Sequence, residues 1–222
     1  MKGPLIKDQL TIRKKVYHYL REKILTAAIA PNERLVETKI AKEIGTSRTP
    51  IREALHNLEV EKLVKPIPRV GYVVEKMSPE DLEQICELRE VIEGLAIRRA
   101  VKRAHKRLLG DLTKNVARQE QEISKGNYAA YFELDTQFHE IIGKLSGNER
   151  AFELIQTLRR HMLRYGLQVA TFVETAIRSM GGHKAVLEAV EKGDSDEGER
   201  AIREHIRMAR KDISKYLFKR EI

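Results

Sequence analysis

The sequence lacks the features that mark secreted, membrane-spanning or disulfide-stabilised proteins. It has a single cysteine, Cys86, which excludes an internal disulfide framework. No apolar run approaches the roughly 18–20 residues that a membrane span needs, and the first ten residues, MKGPLIKDQL, lack the apolar stretch of a signal peptide. Because 41% of its 222 residues are hydrophobic, the chain can form a real core. We therefore expect a soluble, cytoplasmic protein of one or two domains.

Proline is also absent from most of the chain. All six prolines lie in the first 79 residues, and the remaining 143 residues have none. Since proline interrupts helix interiors, this long tract is predicted to be all-helical. The net charge of +9 divides at the same place, with 16 Lys and Arg against 9 Asp and Glu in residues 1–76, and 26 against 24 in residues 77–222. The sequence predicts a basic domain at 1–76 and a helical domain at 77–222, whose first helix is capped by Ser78 and has Pro79 at its first position.

Spacing of apolar residues predicts three helices in the basic domain, over 12–28, 36–44 and about 48–61. The second should end at Gly45, and Ser47 can cap the third. Two short helices around a tight turn are typical of a helix-turn-helix, and β-branched residues on both sides of a Pro/Gly turn at 63–74 predict a two-stranded wing. The apolar positions are Ile12, Val16, Tyr19, Leu20, Ile24 and Ala27 in the first helix, and Ile51, Ala54, Leu55 and Leu58 in the third.

The start of the third helix suits base recognition. In a helix-turn-helix these residues reach base edges in the major groove. Arg48 and Arg52 can each hold a guanine through two hydrogen bonds, while hydroxyl groups and the helix N-terminus hold phosphates. The alternative to base recognition, for either arginine taken alone, is that it is simply an exposed side chain beside an ordinary helix cap.

The run from Pro31 to Leu55, PNERLVETKIAKEIGTSRTPIREAL, resembles the winged-helix domain of GntR-family bacterial transcription regulators. Its SRTPIREAL core carries the resemblance most specifically, and Asn32 stands where the family commonly has Gly. The resemblance implies a wing around Gly71 that approaches the minor groove. It also implies DNA contacts from Arg48, Thr49 and Arg52, with Thr38 and Ser47 nearby.

The proline-free tract is predicted to form an antiparallel helical bundle. Breaks are expected near Gly110, Gly126, Gly147 and Gly193, and the pair at 181–182 could split the fifth helix. The predicted helices cover 79–104, 107–124, 128–146, 149–169, 173–192 and 196–218.

One predicted helix places an acid and an imidazole inside an aromatic stripe. Asp135 and His139 are one turn apart among apolar positions, and His183 and His205 lie on comparable stripes of later helices. Taken singly, each histidine could be a core residue whose hydrogen bonds are satisfied. Asp135 and His139 could also form an ordinary salt bridge. Together, three imidazoles and one carboxylate suit Zn²⁺, Ni²⁺, Mn²⁺ or Fe²⁺, and the remaining positive charge would favour an anionic ligand. The stripe consists of Tyr128, Tyr131, Phe132, Asp135, Phe138, His139, Ile142 and Leu145.

This arrangement resembles the FCD domain of the FadR-type branch of the same family. The resemblance implies that Asp135, His139, His183 and His205 hold a divalent metal inside the bundle. Gly182 departs from the family pattern, which often has Glu before the histidine.

Two arginines are candidates for holding an effector carboxylate. Arg89 could instead pair with Glu93 one turn later. Arg159 is the second candidate, although the sequence favours a solvated arginine there.

The leading hypothesis is a dimeric, effector-responsive transcription regulator with a metal-assisted site for a small carboxylate. A metalloenzyme with a DNA-binding appendage is the first alternative, but no nucleophile motif or Gly-rich phosphate loop is present. The second is a constitutive DNA binder with a purely structural metal.

Overall fold

Two compact units make up the molecule, Met1–Met77 and Ser78–Ile222. The computed structural model describes residues 9–26, 28–76, 78–169 and 173–218. The division lies one residue from the domain boundary expected from charge and proline content. Among the described residues, no helix is both long and apolar enough to cross a membrane.

The first unit is a helix-turn-helix with a small antiparallel sheet. Its strands lie in the order β1-β3-β2, with Arg34 paired to Val73 and Val64 to Val74. The predicted two-stranded wing is confirmed as β2 and β3, and a third strand, β1, joins it. The sequence did not predict β1, because two residues are too few to produce an alternating pattern. The elements are α1 (Gln9–Leu25), β1 (Arg34–Leu35), α2 (Glu37–Ile44), α3 (Arg48–Val60), β2 (Val64–Ile67) and β3 (Gly71–Val74).

Local sequence signals set the ends of α2 and α3. Gly45 ends α2 in the left-handed region at φ 74°, which glycine adopts without steric cost. Ser47 occupies the N-cap position of α3, but its side chain makes no capping hydrogen bond, contrary to expectation. The predicted inner stripe of α3 is confirmed, since Ile51, Ala54, Leu55 and Leu58 are all fully buried.

The predicted apolar stripe of α1 is only partly correct. Ile12 and Tyr19 are exposed, at 45% and 46%, because they lie away from the face that packs on α3. Ala27 lies outside the described residues. The buried part of the stripe consists of Val16, Leu20 and Ile24.

The second unit is a bundle in which α4 packs against the four later helices. Ser78 caps α4 by accepting a hydrogen bond from the backbone N–H of Asp81, and Pro79 occupies the first turn, as predicted. The helices are α4 (Pro79–Ser124), α5 (Tyr128–Leu145), α6 (Glu149–Val169), α7 (Val173–Glu191) and α8 (Ser195–Leu217).

The first two predicted helices of this unit join across a kink. Ala104 has non-helical dihedral angles, φ −138° and ψ 33°, and separates two helical segments of α4. The break expected near Gly110 is absent, and the pair Gly181–Gly182 does not split α7. Packing of both helices in the bundle outweighs the modest helix penalty of glycine.

Candidate metal centre

One face of α5 carries the acid and the first imidazole of the cluster. Asp135 and His139 lie one turn apart and are buried, with exposures of 6% and 0%. Their neighbours on the stripe, Tyr131 and Phe138, are buried as well. An ionised carboxylate in such surroundings requires a counter-charge, a metal or several hydrogen bonds.

Helices α7 and α8 bring two further imidazoles to this face. His183 and His205 are buried, and one candidate ligand atom from each of Asp135, His139, His183 and His205 lies within 4.8 Å of the others. The ring centroids of His183 and His205 are 4.5 Å apart, and those of His139 and His205 are 5.2 Å apart. The four residues singled out in the sequence therefore meet in one place, from three helices.

The imidazole nitrogens show that the cluster fits a metal ion. His139 Nε2, His183 Nε2 and His205 Nδ1 are buried and make no hydrogen bond within the described part of the chain. The nearest carboxylate oxygen to His183 Nε2 is Oδ1 of Asp135, at 3.4 Å. Buried polar atoms are normally satisfied. Three unsatisfied imidazole nitrogens beside a carboxylate form the N- and O-donor set that Zn²⁺ and its neighbours prefer.

Two side chains of α4 contact the Nδ1 atoms of His139 and His183, the ring nitrogens that are not left unsatisfied. His139 Nδ1 contacts Glu93 Oε2, and His183 Nδ1 lies 2.8 Å from Gln119 Oε1. Because each acceptor fixes the proton on Nδ1, each leaves a lone pair on Nε2 for a metal. The sequence predicts neither role. Its spacing pairs Glu93 only with Arg89, and Gln119, which is fully buried on α4, shows no signal beyond its place in a helical stripe.

The electrostatics of the cluster favour the metal-binding protonation states. Burial lowers the pKa of His183 to about 3 and the pKa values of His139 and His205 well below the ordinary value. Burial alone would raise the pKa of Asp135, but the positive charge of Arg159 lowers it below its ordinary value. At neutral pH the cluster therefore presents neutral imidazoles and an ionised carboxylate, the forms that bind metals.

Arg159 is buried, and the expectation of a solvated side chain is wrong. Its exposure is 6%. Its Nη2 donates to Asp135 Oδ2 and, over 2.9 Å, to the hydroxyl of Thr136. The physical reason is the buried carboxylate of Asp135, which needs a positive partner and draws the guanidinium inward.

A cavity of about 70 Å³ adjoins the cluster and is lined by both candidate arginines together with Asp135 and His205. Arg89 pairs with Glu93 over 2.7 Å, as the alternative interpretation of this residue expected, and it also lines the cavity. Arg89 Nη2 and Arg159 Nε are buried without a hydrogen-bond partner among the described residues. Hydroxyl and apolar groups complete much of the wall, including Thr175, Ser179, Met162, Met208 and Ile213.

The candidate DNA-contacting arginines form an exposed group at the start of α3. Arg48 and Arg52 have side-chain exposures of 60% and 61%. Both donate to Glu37 at the first turn of α2: Arg52 Nε lies 2.9 Å from Oε1, and Arg48 Nη2 lies 3.2 Å from Oε2. Glu37 thus holds the two guanidinium groups side by side. Three of the other four candidates, Thr38, Ser47 and Thr49, are also exposed.

Gly71 has a structural task at the start of β3. Its φ is 133°, and a Cβ there would lie 2.5 Å from the carbonyl oxygen of Leu35. The absence of a side chain therefore lets β3 approach β1 closely, whatever contact the wing makes with DNA.

Comparison with known proteins decides the family. Residues 84–208 match the FCD domain, and residues 12–74 match the bacterial regulatory proteins of the gntR family. The chain belongs to the GntR family and carries an FCD domain. It is thus a transcriptional regulator that binds DNA through its helix-turn-helix.

Relatives and solved structures of this family align with nearly the whole chain. Identity is 29% over 212 residues to an HTH-type transcriptional regulator in an unstable DNA locus of Streptomyces ambofaciens, covering 92% of this chain and 86% of the relative. It is 27% over 195 residues to the HTH-type transcriptional repressor RspR of Escherichia coli K12, covering 88% and 86%. Both are named as regulators of transcription, not as enzymes. The structure of E. coli McbR/YncC, 20% identical, shares the fold with a TM-score of 0.75 over 92% of this chain and 97% of that one.

Gly182, the residue before His183, has a structural role in this domain. A Cβ at position 182 would lie 2.5 Å from His205 Nδ1 and 3.0 Å from His205 Cγ. Glycine therefore allows the imidazole of His205 to pack directly against the backbone of α7. At the preceding residue, Gly181, an added Cβ would meet no atom within 4 Å.

Proposed function

We propose that this GntR-family regulator binds operator DNA as a dimer and responds to a small carboxylate held at a metal centre in its FCD domain. The observation that carries the proposal is the buried cluster of Asp135, His139, His183 and His205, which adjoins a cavity with two arginines. In DNA recognition, Arg48 and Arg52 read base edges. Thr38, Ser47 and Thr49 contact the backbone, and the wing around Gly71 approaches the minor groove.

The charges around the cavity support an anionic ligand. The charges of Arg89 and Arg159 balance those of Glu93 and Asp135, while the three imidazoles are neutral. A divalent cation held by the four cluster residues would therefore leave the site about two charges positive, by the same count. When bound, such a cation supplies an electrophilic centre for a carboxylate oxygen.

The protein groups orient the ligand. Arg89 Nη2 and Arg159 Nε retain unused donor capacity at the cavity, and guanidinium groups bind carboxylates through short, charge-assisted hydrogen bonds. Apolar side chains such as Met162 and Ile213 exclude water around the rest of the ligand. Since the cavity has a volume of about 70 Å³, it suits a ligand of few non-hydrogen atoms.

An effector can change DNA affinity only as far as it favours one protein geometry over another. Helix α4 is the element that could carry such a preference. It begins at Pro79, shortly after β3 ends at Val74, and it carries Arg89 at the cavity and Glu93 against His139. A ligand that repositions either side chain therefore acts on the helix that follows the wing.

The test begins with metal content. Elemental analysis of the purified chain should find about one divalent metal ion per chain, and the His139→Ala, His183→Ala double variant should have lost it. His56→Ala is the control, because His56 is exposed in the first unit and its loss should leave the metal in place. Full occupancy in the double variant would place the metal ligands elsewhere.

The second stage measures the effector response. Small mono- and dicarboxylates are titrated into the metal-loaded chain on a DNA site selected from a random pool, with fluorescence anisotropy as the readout. We expect at least one acid to change operator affinity severalfold in the native chain and not in the double variant. A complete lack of response would favour a constitutive DNA binder with a structural metal, and consumption of an added acid would favour the metalloenzyme.

A further inference from the structure

Helix α4 presents an apolar stripe to solvent. Leu88, Val91 and Leu95 have exposures of 56%, 55% and 43%. Their spacing of three and four residues places them on one side of the helix. Single exposed apolar residues are ordinary on a protein surface, but three in a row along one helix mark an interaction surface.

Helix α4 as a whole changes charge from one end to the other, and on its outer side Glu80 lies toward one end and Arg98 and Lys102 toward the other. Residues 77–97 contain six acidic residues and one basic residue, the buried Arg89, whereas residues 98–118 contain eight basic residues and one acidic. The apolar stripe lies just before this change of sign. The outer face of α4 consists of Glu80, Gln84, Leu88, Val91, Leu95, Arg98 and Lys102, all exposed except the half-buried Arg98.

With these charges, the outer face of one α4 is complementary to the same face of a second α4 that runs in the opposite direction. If a second α4 crosses the first in the antiparallel direction at Val91, then Glu80 of each copy faces Lys102 of the other, and Gln84 faces Arg98. Leu88 and Leu95 then surround the crossing point. A parallel arrangement would set Glu80 against Glu80 and Lys102 against Lys102, which is repulsive.

We propose that the outer face of α4 is the contact between two copies of this chain, paired antiparallel about Val91. The proposal rests on the dimer of the proposed function and assigns its surface in the second unit. A closed two-fold contact must be complementary to itself, and this face meets that condition in both its apolar centre and its charged ends.

The local contacts of α4 are consistent with such a partner. Glu80 and Lys102 form no ion pair within the described part of the chain. Arg98, at the edge of the same face, pairs with Glu199 of α8 over 3.0 Å, and Glu83, beside the face, pairs with Arg210 of α8 over 3.0 Å. The kink at Ala104 comes after Lys102, so the face from Glu80 to Lys102 lies on one helical segment of about 33 Å.

The first test places a charge at the crossing point. Val91→Glu in the full chain brings two carboxylates together across the proposed two-fold axis, and sedimentation equilibrium should show at least a tenfold rise in the dimer dissociation constant. Leu154→Glu is the matched control, because Leu154 is 48% exposed on α6 and should leave dimerisation unchanged. Equal thermal unfolding of the two variants establishes that both are folded. An unchanged dissociation constant for Val91→Glu would overturn the proposal.

The second test distinguishes antiparallel pairing from any other use of this surface. Glu80→Lys and Lys102→Glu should each weaken the dimer, and the double variant should recover most of the loss, because every copy then supplies both reversed partners. Additive loss in the double variant would contradict the antiparallel register. If the native chain is itself monomeric, the dimer of the proposed function fails too, whereas a dimer insensitive to all these changes refutes only the assignment of the surface.

Discussion

A single carboxylate organises the candidate base-reading residues of the first unit. Glu37 accepts hydrogen bonds from both Arg48 and Arg52, and the Arg52 hydrogen bond in particular lowers its pKa. Exposed ion pairs of this kind contribute little to stability because water screens them. Their value lies in orientation, since two long side chains are held at the start of α3 before DNA arrives.

The first prediction concerns Arg48. Arg48→Ala should weaken binding to the selected operator by about 1–3 kcal/mol, the range for a good bidentate contact to a base, and leave non-specific binding much less affected. Folding should persist because Glu37 keeps its two hydrogen bonds to Arg52. Anisotropy titrations with operator and with scrambled DNA measure the specificity ratio.

The control for this prediction is Lys39→Ala, which removes another exposed basic side chain of the same unit. It should leave the specificity ratio unchanged even if it weakens binding to all DNA, since phosphate contacts carry no sequence information directly. An unchanged ratio for Arg48→Ala would exclude Arg48 from base recognition.

At the scale of elements, the contact between α7 and α8 determines where the third imidazole lies. The ring of His205 on α8 packs against the backbone of α7 at Gly182, at a distance that no side chain there could share. The cluster therefore depends on a glycine in the middle of a helix, where glycine costs roughly 0.5–1 kcal/mol relative to alanine. The glycine destabilises α7 slightly, but it leaves the space in which the imidazole of His205, a candidate metal ligand, lies.

Adjacent glycines in α7 allow a matched test. Gly182→Ala should displace the His205 imidazole and lower metal affinity at least tenfold, the lower end of the loss seen when the surroundings of a metal ligand are disturbed. Gly181→Ala adds the same methyl group one residue earlier, into open space, and should preserve metal affinity with a slight gain in stability. Competition titration with a chelating dye measures both affinities, and equal affinities would show that His205 does not bind the metal in this position.

At the scale of the whole molecule, the second unit buries three imidazoles in its core. Their pKa values are lowered by burial, that of His183 to about 3. In the unfolded chain the same groups return to an ordinary value near 6.5. Below that pH the unfolded state therefore binds more protons than the folded state, and acid favours unfolding.

The metal-free protein should accordingly lose stability as the pH falls from about 6.5 toward 4. Each of the three histidines can add up to about 1.4 kcal/mol per pH unit to the slope. Chemical denaturation in the presence of a chelator, at a series of pH values, measures the effect. A variant with Gln at positions 139, 183 and 205 should show a shallower slope, and equal slopes in both proteins would contradict buried neutral imidazoles.

Much of the fold and the four candidate metal ligands could be predicted from the sequence, whereas the residues that contact those ligands could not. Helical spacing, the glycine at 45 and the Ser78-Pro79 pair gave element ends close to those observed. Asp135, His139, His183 and His205 were identified because an ionisable residue within an apolar stripe is unusual enough to be noticed. The short strand β1, the unbroken helix at Gly110 and the intact α7 were not predicted, because in each case packing outweighs a weak local signal.

The sequence by itself determined which residues are polar within apolar stripes and where proline and charge divide the chain, because those properties depend only on local order. Tertiary structure alone decided the partners: Glu93 and Gln119 on the imidazoles, Arg159 on Asp135, and Gly182 under His205. These pairs lie on different helices, so no periodicity along the chain relates them. A buried charge takes whichever opposite charge the bundle brings within reach, and that choice exists only once the helices have packed.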